Sequence, residues 1–85
     1  MIKMNLYMVT DSNYEWCCFV FDTSRNRAKL WVSNHFDESY ISLRCKTLRK
    51  GINLSQPMLI DDPASEGYNL VLECGYRFAT EDEVN

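Results

Sequence analysis

Residues 15–36, EWCCFVFDTSRNRAKLWVSNHF, contain the passage from a continuous apolar run to a helical stripe that decides the fold. Glu15–Phe21 is nearly all apolar and rich in aromatics, as a central strand buried on both faces is. Asp22-Thr23-Ser24 follows, and each of these side chains offers an oxygen that can accept the first free helix N–H groups. Beyond this cap, Ala28, Trp31, Val32, His35 and Phe36 recur at helical spacing and form one apolar stripe. Arg25, Lys29 and Ser33 fall on another face. The helix is expected to end near Phe36, before Asp37-Glu38.

Upstream, Met4–Thr10 (MNLYMVT) reads as a strand whose apolar run is interrupted by Asn5. Asp11-Ser12-Asn13 is a turn cluster, so the two strands form a hairpin. Downstream, Tyr40–Leu48 (YISLRCKTL) has a period of two. Ile41, Leu43, Cys45 and Thr47 point one way, and Ser42, Arg44 and Lys46 the other, giving a strand with one wet face. Arg49-Lys50-Gly51 is expected to end it. Residues 52–67 read as a long loop, punctuated by Pro57, Pro63 and Gly67 and carrying the turn pair Asp61-Asp62. Asn69–Phe78 reads as the last strand, with Gly75 a bulge or bend. Residues 79–85 are an acidic tail in which Thr80 and Glu83 have capping-box spacing but too little chain after them for a helix. The order predicts a single small α+β domain over residues 1–85. Its two layers are a mostly antiparallel sheet of about four strands and one helix packed on one face.

Eighty-five residues suffice for one domain. A hydrophobic fraction of 46% with 13% aromatics supports one compact core, and three glycines and two prolines exclude a low-complexity chain. No apolar run approaches the roughly 20 residues that span a bilayer. The first residues alternate apolar and polar, unlike a secretory signal. The expectation is a cytosolic protein, and Cys17, Cys18, Cys45 and Cys74 are accordingly read as free thiols.

Catalytic chemistry finds little footing. His35 is the single histidine, and nothing in the sequence sets a nucleophile and an orienting group beside it. Its place on the apolar stripe favours a partly buried, satisfied side chain. A zinc site normally pairs cysteines two to four residues apart on a turn. Here the close pair, Cys17-Cys18, is adjacent on a strand and points to opposite faces. Cys18, Cys45 and Cys74 are read as facing one core. There is no Gly-rich phosphate loop and no nucleophile elbow. The chain is read as a non-enzyme with no cofactor and no metal.

Charge is the informative signal. Residues 23–50 carry seven cations and two acids, a net of +5, whereas residues 51–85 carry one cation and seven acids, a net of −6. Two regions of opposite sign in a small domain suit a surface built for a charged partner. The candidate contact residues are Arg25, Arg27, Lys29, Arg44, Lys46, Arg49 and Lys50, with Asp61 and Asp62 in the loop. If the helix and strand cations converge, they suit phosphates, and Tyr7 or Tyr40 beside them suits RNA stacking.

The run MNLYMVTDSNYEWCCFVFDTSRNRAKLWVS, residues 4–33, resembles the start of small accessory proteins encoded by bacteriophages and prophages. Many of these open with a K-x-Y-x-V-type strand, a second strand, and a helix begun by D-S-x-N-x-A, here Asp22-Thr23-Ser24-Arg25-Asn26-Arg27-Ala28. The later YISLRCKTL and GYRFATEDEV are similar in style. The resemblance transfers no functional residue. It implies a protein of anti-CRISPR or other anti-defence type, working in the cytoplasm of an infected or lysogenic bacterium. Such a protein binds stoichiometrically to a host nuclease or CRISPR effector and blocks it. The alternative is a small RNA- or DNA-binding module using the same basic surface, and a small enzyme ranks last. The open sheet edges also leave a homodimer as a partner. No membrane partner is expected.

Overall fold

The computed structural model describes residues 1–79. The chain runs β1 (Ile2–Thr10), β2 (Cys17–Asp22), α1 (Arg25–Phe36), a 3-10 turn (Tyr40–Ser42), β3 (Arg44–Leu54), β4 (Met58–Ile60) and α2 (Tyr68–Glu73). The four strands form one antiparallel sheet in the order β3-β1-β2-β4. This is the α+β domain with one main helix that the sequence indicates. Apart from Ala79, the acidic tail read at 79–85 lies outside the described residues, as do Thr80 and Glu83. Among the described residues no helix is long and apolar enough to cross a membrane.

The hairpin register sorts the core into two. Val9 pairs with Cys18 and Tyr7 with Val20, on the face that α1 covers through Ala28 and Val32. Leu6 pairs with Phe21 and Met8 with Phe19, on the opposite face, which packs Met4, Ile60 and Val71. With both faces covered, β2 must be apolar throughout, which is why Cys18–Phe21 lack the alternation of a half-wet strand. Ser24 caps α1, its Oγ accepting from the Arg27 N–H at 3.2 Å.

The third strand differs from its expected bounds at both ends. Tyr40–Ser42 is a 3-10 turn, so Ile41 does not point into the core but stands 89% exposed. Arg49-Lys50-Gly51 does not end the strand, which continues to Leu54. The register slips twice, between Tyr7 and Leu6 and between Leu6 and Met4, so β3 carries extra residues as bulges. Gly51 takes φ 76°, a left-handed value open to glycine, inside this irregular stretch.

Residues 52–67 are not one loop, since Ile52–Leu54 belong to β3 and Met58–Ile60 form β4. Asn69–Phe78 is not a strand. Residues 68–73 are helical, and Val71, with Leu70 and Cys74, packs against the face opposite α1. Gly75 is therefore no bulge. It follows the helix end at φ 91°, its N–H donating to Leu72 O while Tyr76 N–H donates to Val71 O, the paired bonds that close a Schellman turn. Phe78 completes this layer, 4.9 Å from the Phe19 ring and 5.3 Å from the Tyr68 ring. Cys74 thus belongs to the α2 layer, while Cys18 and Cys45 belong to the α1 layer, so the three cysteines do not share one core.

Candidate functional site

β3 is an edge strand and carries Arg44, Lys46, Arg49 and Lys50, all exposed. At about 3.3 Å per residue the four span roughly 20 Å. Lys46 lies opposite Met8 and Arg44 opposite Thr10, so these two stand on the α2 face of the sheet. Cys45 between them packs into the α1 layer.

The helix brings two further cations to the same edge. The Arg25 guanidinium donates through Nη1 to the Cys45 carbonyl. Lys29 Nζ lies 4.3 Å from the centre of the Tyr40 ring, and the Tyr40 hydroxyl donates to Asn26 Oδ1 at 2.9 Å. Burial pushes the Cys45 thiol up, and Arg25 and Lys29 pull it the other way, as cations close to it must. The helix and strand cations therefore border one edge.

Arg27 does not join them. Its Nε donates to Asp22 Oδ1 at 3.1 Å, and Asp22 is almost wholly buried at the end of β2. This pair is structural. The partly formed environment of Asp22 is completed by the Thr23 N–H at 2.7 Å.

Asp61 and Asp62 lie after β4, at the other edge of the sheet from β3. The Ser65 hydroxyl donates to Asp61 Oδ1 at 2.7 Å, and the Ala64 N–H donates to Asp62 Oδ1 at 2.8 Å. His35 Nε2 lies 3.5 Å from Asp61 Oδ2. The Ser65 hydrogen bond, with a smaller contribution from His35, holds the Asp61 carboxyl below the usual aspartate range. His35 is exposed rather than partly buried, and its ring meets Phe36 edge-on at 4.7 Å.

Two exposed apolar or aromatic residues beside the basic edge escaped the sequence. Tyr14 is 66% exposed with φ 57°, and the Arg44 guanidinium lies 5.4 Å from its ring centre. A bulky residue in left-handed backbone is an outlier. The turn that holds it is over-determined, with Tyr14 N–H donating to Asp11 O at 3.2 Å and Glu15 N–H to Asp11 Oδ1 at 2.7 Å. Ile41, in the turn just before Arg44, is the other. Its flanking serines, Ser39 and Ser42, were the available sign that the strand had not yet begun.

Among the described residues no three His, Cys, Asp or Glu side chains are grouped to hold a metal ion. Comparison with protein-family models, curated proteins and solved structures gave no match.

Proposed function

We propose that this chain is a binding protein of the phage-inhibitor type, which occupies a bacterial nuclease or CRISPR effector stoichiometrically and blocks it. The observation that carries this reading is the basic edge: Arg25, Lys29, Arg44, Lys46, Arg49 and Lys50 border one long strand, with Tyr14 and Ile41 exposed at its start. Cations along a rim speed the encounter, and a few aromatic, apolar or Arg anchors supply most of the affinity. The likeness of residues 4–33 to phage accessory proteins supports the class of target. Left-handed backbone at Tyr14 supports a contact role, since strain kept on an exposed side chain is common where a surface is used.

The test starts with a pull-down from bacterial lysate, with and without nuclease. The expected result is a single defence-complex protein that survives nuclease treatment and titrates at one chain per complex. Reversing Arg44, Lys46, Arg49 and Lys50 to Glu should abolish that binding. Undiminished binding by the reversed chain would sink the site assignment.

A second reading, a nucleic-acid module, is favoured by the two cation–aromatic pairs, Lys29 with Tyr40 and Arg44 with Tyr14. Such pairs form stacking platforms for single strands. Four phosphate contacts predict an affinity for single-stranded RNA that falls about fifty-fold between 50 and 200 mM salt. Binding of a protein target that survives nuclease and changes little over that range separates the first reading from the second.

A further inference from the structure

The sheet ends differently on its far side. β4 is the edge opposite β3, and where β3 carries four cations, β4 is Met58, Leu59 and Ile60, without a charge. Charged edges resist an added strand and uncharged ones accept it. The backbone bonds of the following loop close on themselves, Ser65 N–H to Asp62 O and Tyr68 N–H to Ser65 O, and none goes to β4, although Gly67 lies against the Met58 and Ile60 side chains.

Two contiguous cavities of about 480 Å³ and about 330 Å³ run beside this edge and share Trp31, Gln56 and Pro57. Leu30 and Trp31 of α1 form one wall, with Pro57 and Leu59 across from them. Leu30 is 54% exposed, an apolar side chain left open to a groove. Charge selects the occupant. Arg27 is tied to Asp22 and His35 to Asp61. Glu66, which lines the second cavity, and nearby Asp62 have no cationic partner among the described residues.

The geometry points to a docking groove for an extended basic segment of a partner protein. Its backbone adds to β4 as a further strand, an apolar side chain enters between Leu30, Trp31 and Pro57, and a Lys or Arg reaches Glu66. A second copy of this chain is a poor occupant. Its basic stretch is the edge strand β3, whose Cys45 and Leu48 carbonyls already accept from Arg25 and Tyr76. The groove is independent of the basic edge and of the function proposed for it.

The test is a titration of the isotope-labelled full chain, followed by amide NMR, with two end-blocked hexapeptides. One alternates Val with Lys around a central Leu, and the other has Glu in place of Lys. The Lys peptide should shift the amides of Leu30, Trp31, Met58, Leu59 and Glu66 and bind about tenfold or more tighter than the Glu peptide. Glu66→Lys should weaken it about threefold, as expected for an exposed ion pair. Leu30→Lys should weaken it about tenfold or more with thermal unfolding unchanged. Equal binding of the two peptides, no shifts at about 1 mM peptide, or shifts confined to β3 would overturn the proposal. Shifts of the same amides with protein concentration alone would also overturn it, by making a second copy the occupant.

Discussion

Asn5 and Gly51 hold the irregular stretch of the sheet together. The Gly51 N–H donates to Asn5 Oδ1 at 3.2 Å, and Asn5 Nδ2 donates to the buried Tyr7 hydroxyl at 2.8 Å. A bulge leaves backbone groups out of the ladder. Here a side chain from the neighbouring strand supplies the missing acceptor, so β3 runs through the bulge and keeps Arg49 and Lys50 on the edge. Asn5→Leu should lower stability by about 1–2 kcal/mol through the lost bonds. Gly51→Ala should cost about 1 kcal/mol through its left-handed φ. Urea unfolding of both single variants and the double variant checks this. Because the two sites are in contact, the double should fall short of or exceed the sum, and strict additivity would count against the coupling.

The same pair shows where the sequence was legible. Glu15–Phe36 announced strand, cap and helix because a continuous apolar run gives way there to a stripe of period 3.6 residues and Ser24 marks the boundary. Asn5 was visible only as an interruption, because its partner is 46 residues away. Leu70, Val71 and Cys74 have helical spacing, but the aromatic and branched content of 69–78 argues for a strand. Gly75 after Cys74 was the helix-stop signal that decides between them. Met58–Ile60 was hidden because three residues are too few to show a period. At the candidate site the cations were legible by charge alone. That Arg27 turns to Asp22, and that Asp61 and Asp62 sit at the opposite edge, depends on strand order.

Asp61 predicts an acid-side effect on stability. Its carboxyl is held below the usual range chiefly by the Ser65 hydroxyl. A depressed folded-state pKa contributes stability that is fully present above the unfolded aspartate value, about 3.9, and is lost as pH falls through the lower folded value. Ser65→Ala should therefore be less stable than the parent at neutral pH, with the difference narrowing from about pH 4 downward. Thermal melts across that range test it. A constant difference at every pH would mean that Ser65 acts only by bracing the loop backbone.

Cys18 predicts a thiol that stays silent while the fold is intact. Burial pushes it up to about 12, with no surface exposed. Only the thiolate reacts appreciably with alkylating agents, so iodoacetamide at pH 8 should leave Cys18 unmodified in the native chain and label it after unfolding in urea. Peptide mapping reads the outcome site by site. Cys18 and Cys45 both pair with Val9, from opposite sides. Two strand spacings put them roughly 9–10 Å apart, too far for a disulfide, so the two should not be joined to each other under native conditions.

Tyr14 and Asp37 are the two non-glycine residues with left-handed backbone, at φ 57° and 55° among the described residues, and comparing them separates strain kept for binding from strain that merely ends a helix. Asp37 closes α1, where the Glu38 N–H donates to Ser33 O at 3.0 Å, a position glycine fills at least cost. Asp37→Gly should raise stability by up to about 1 kcal/mol, or roughly 4–8 °C in Tm, and leave binding to the pulled-down target unchanged. Tyr14→Gly relieves the same backbone strain but removes an exposed ring and its contact with Arg44, worth about 0.5–1 kcal/mol. Its stability should change by less than that of Asp37→Gly. Its affinity for the target should fall by about tenfold or more if Tyr14 is an anchor of the basic edge. Calorimetry on both variants, paired with the binding titration, distinguishes the cases. A Tyr14→Gly chain that binds as tightly as the parent would take Tyr14 out of the contact surface and leave the cations of β3 to explain the affinity alone.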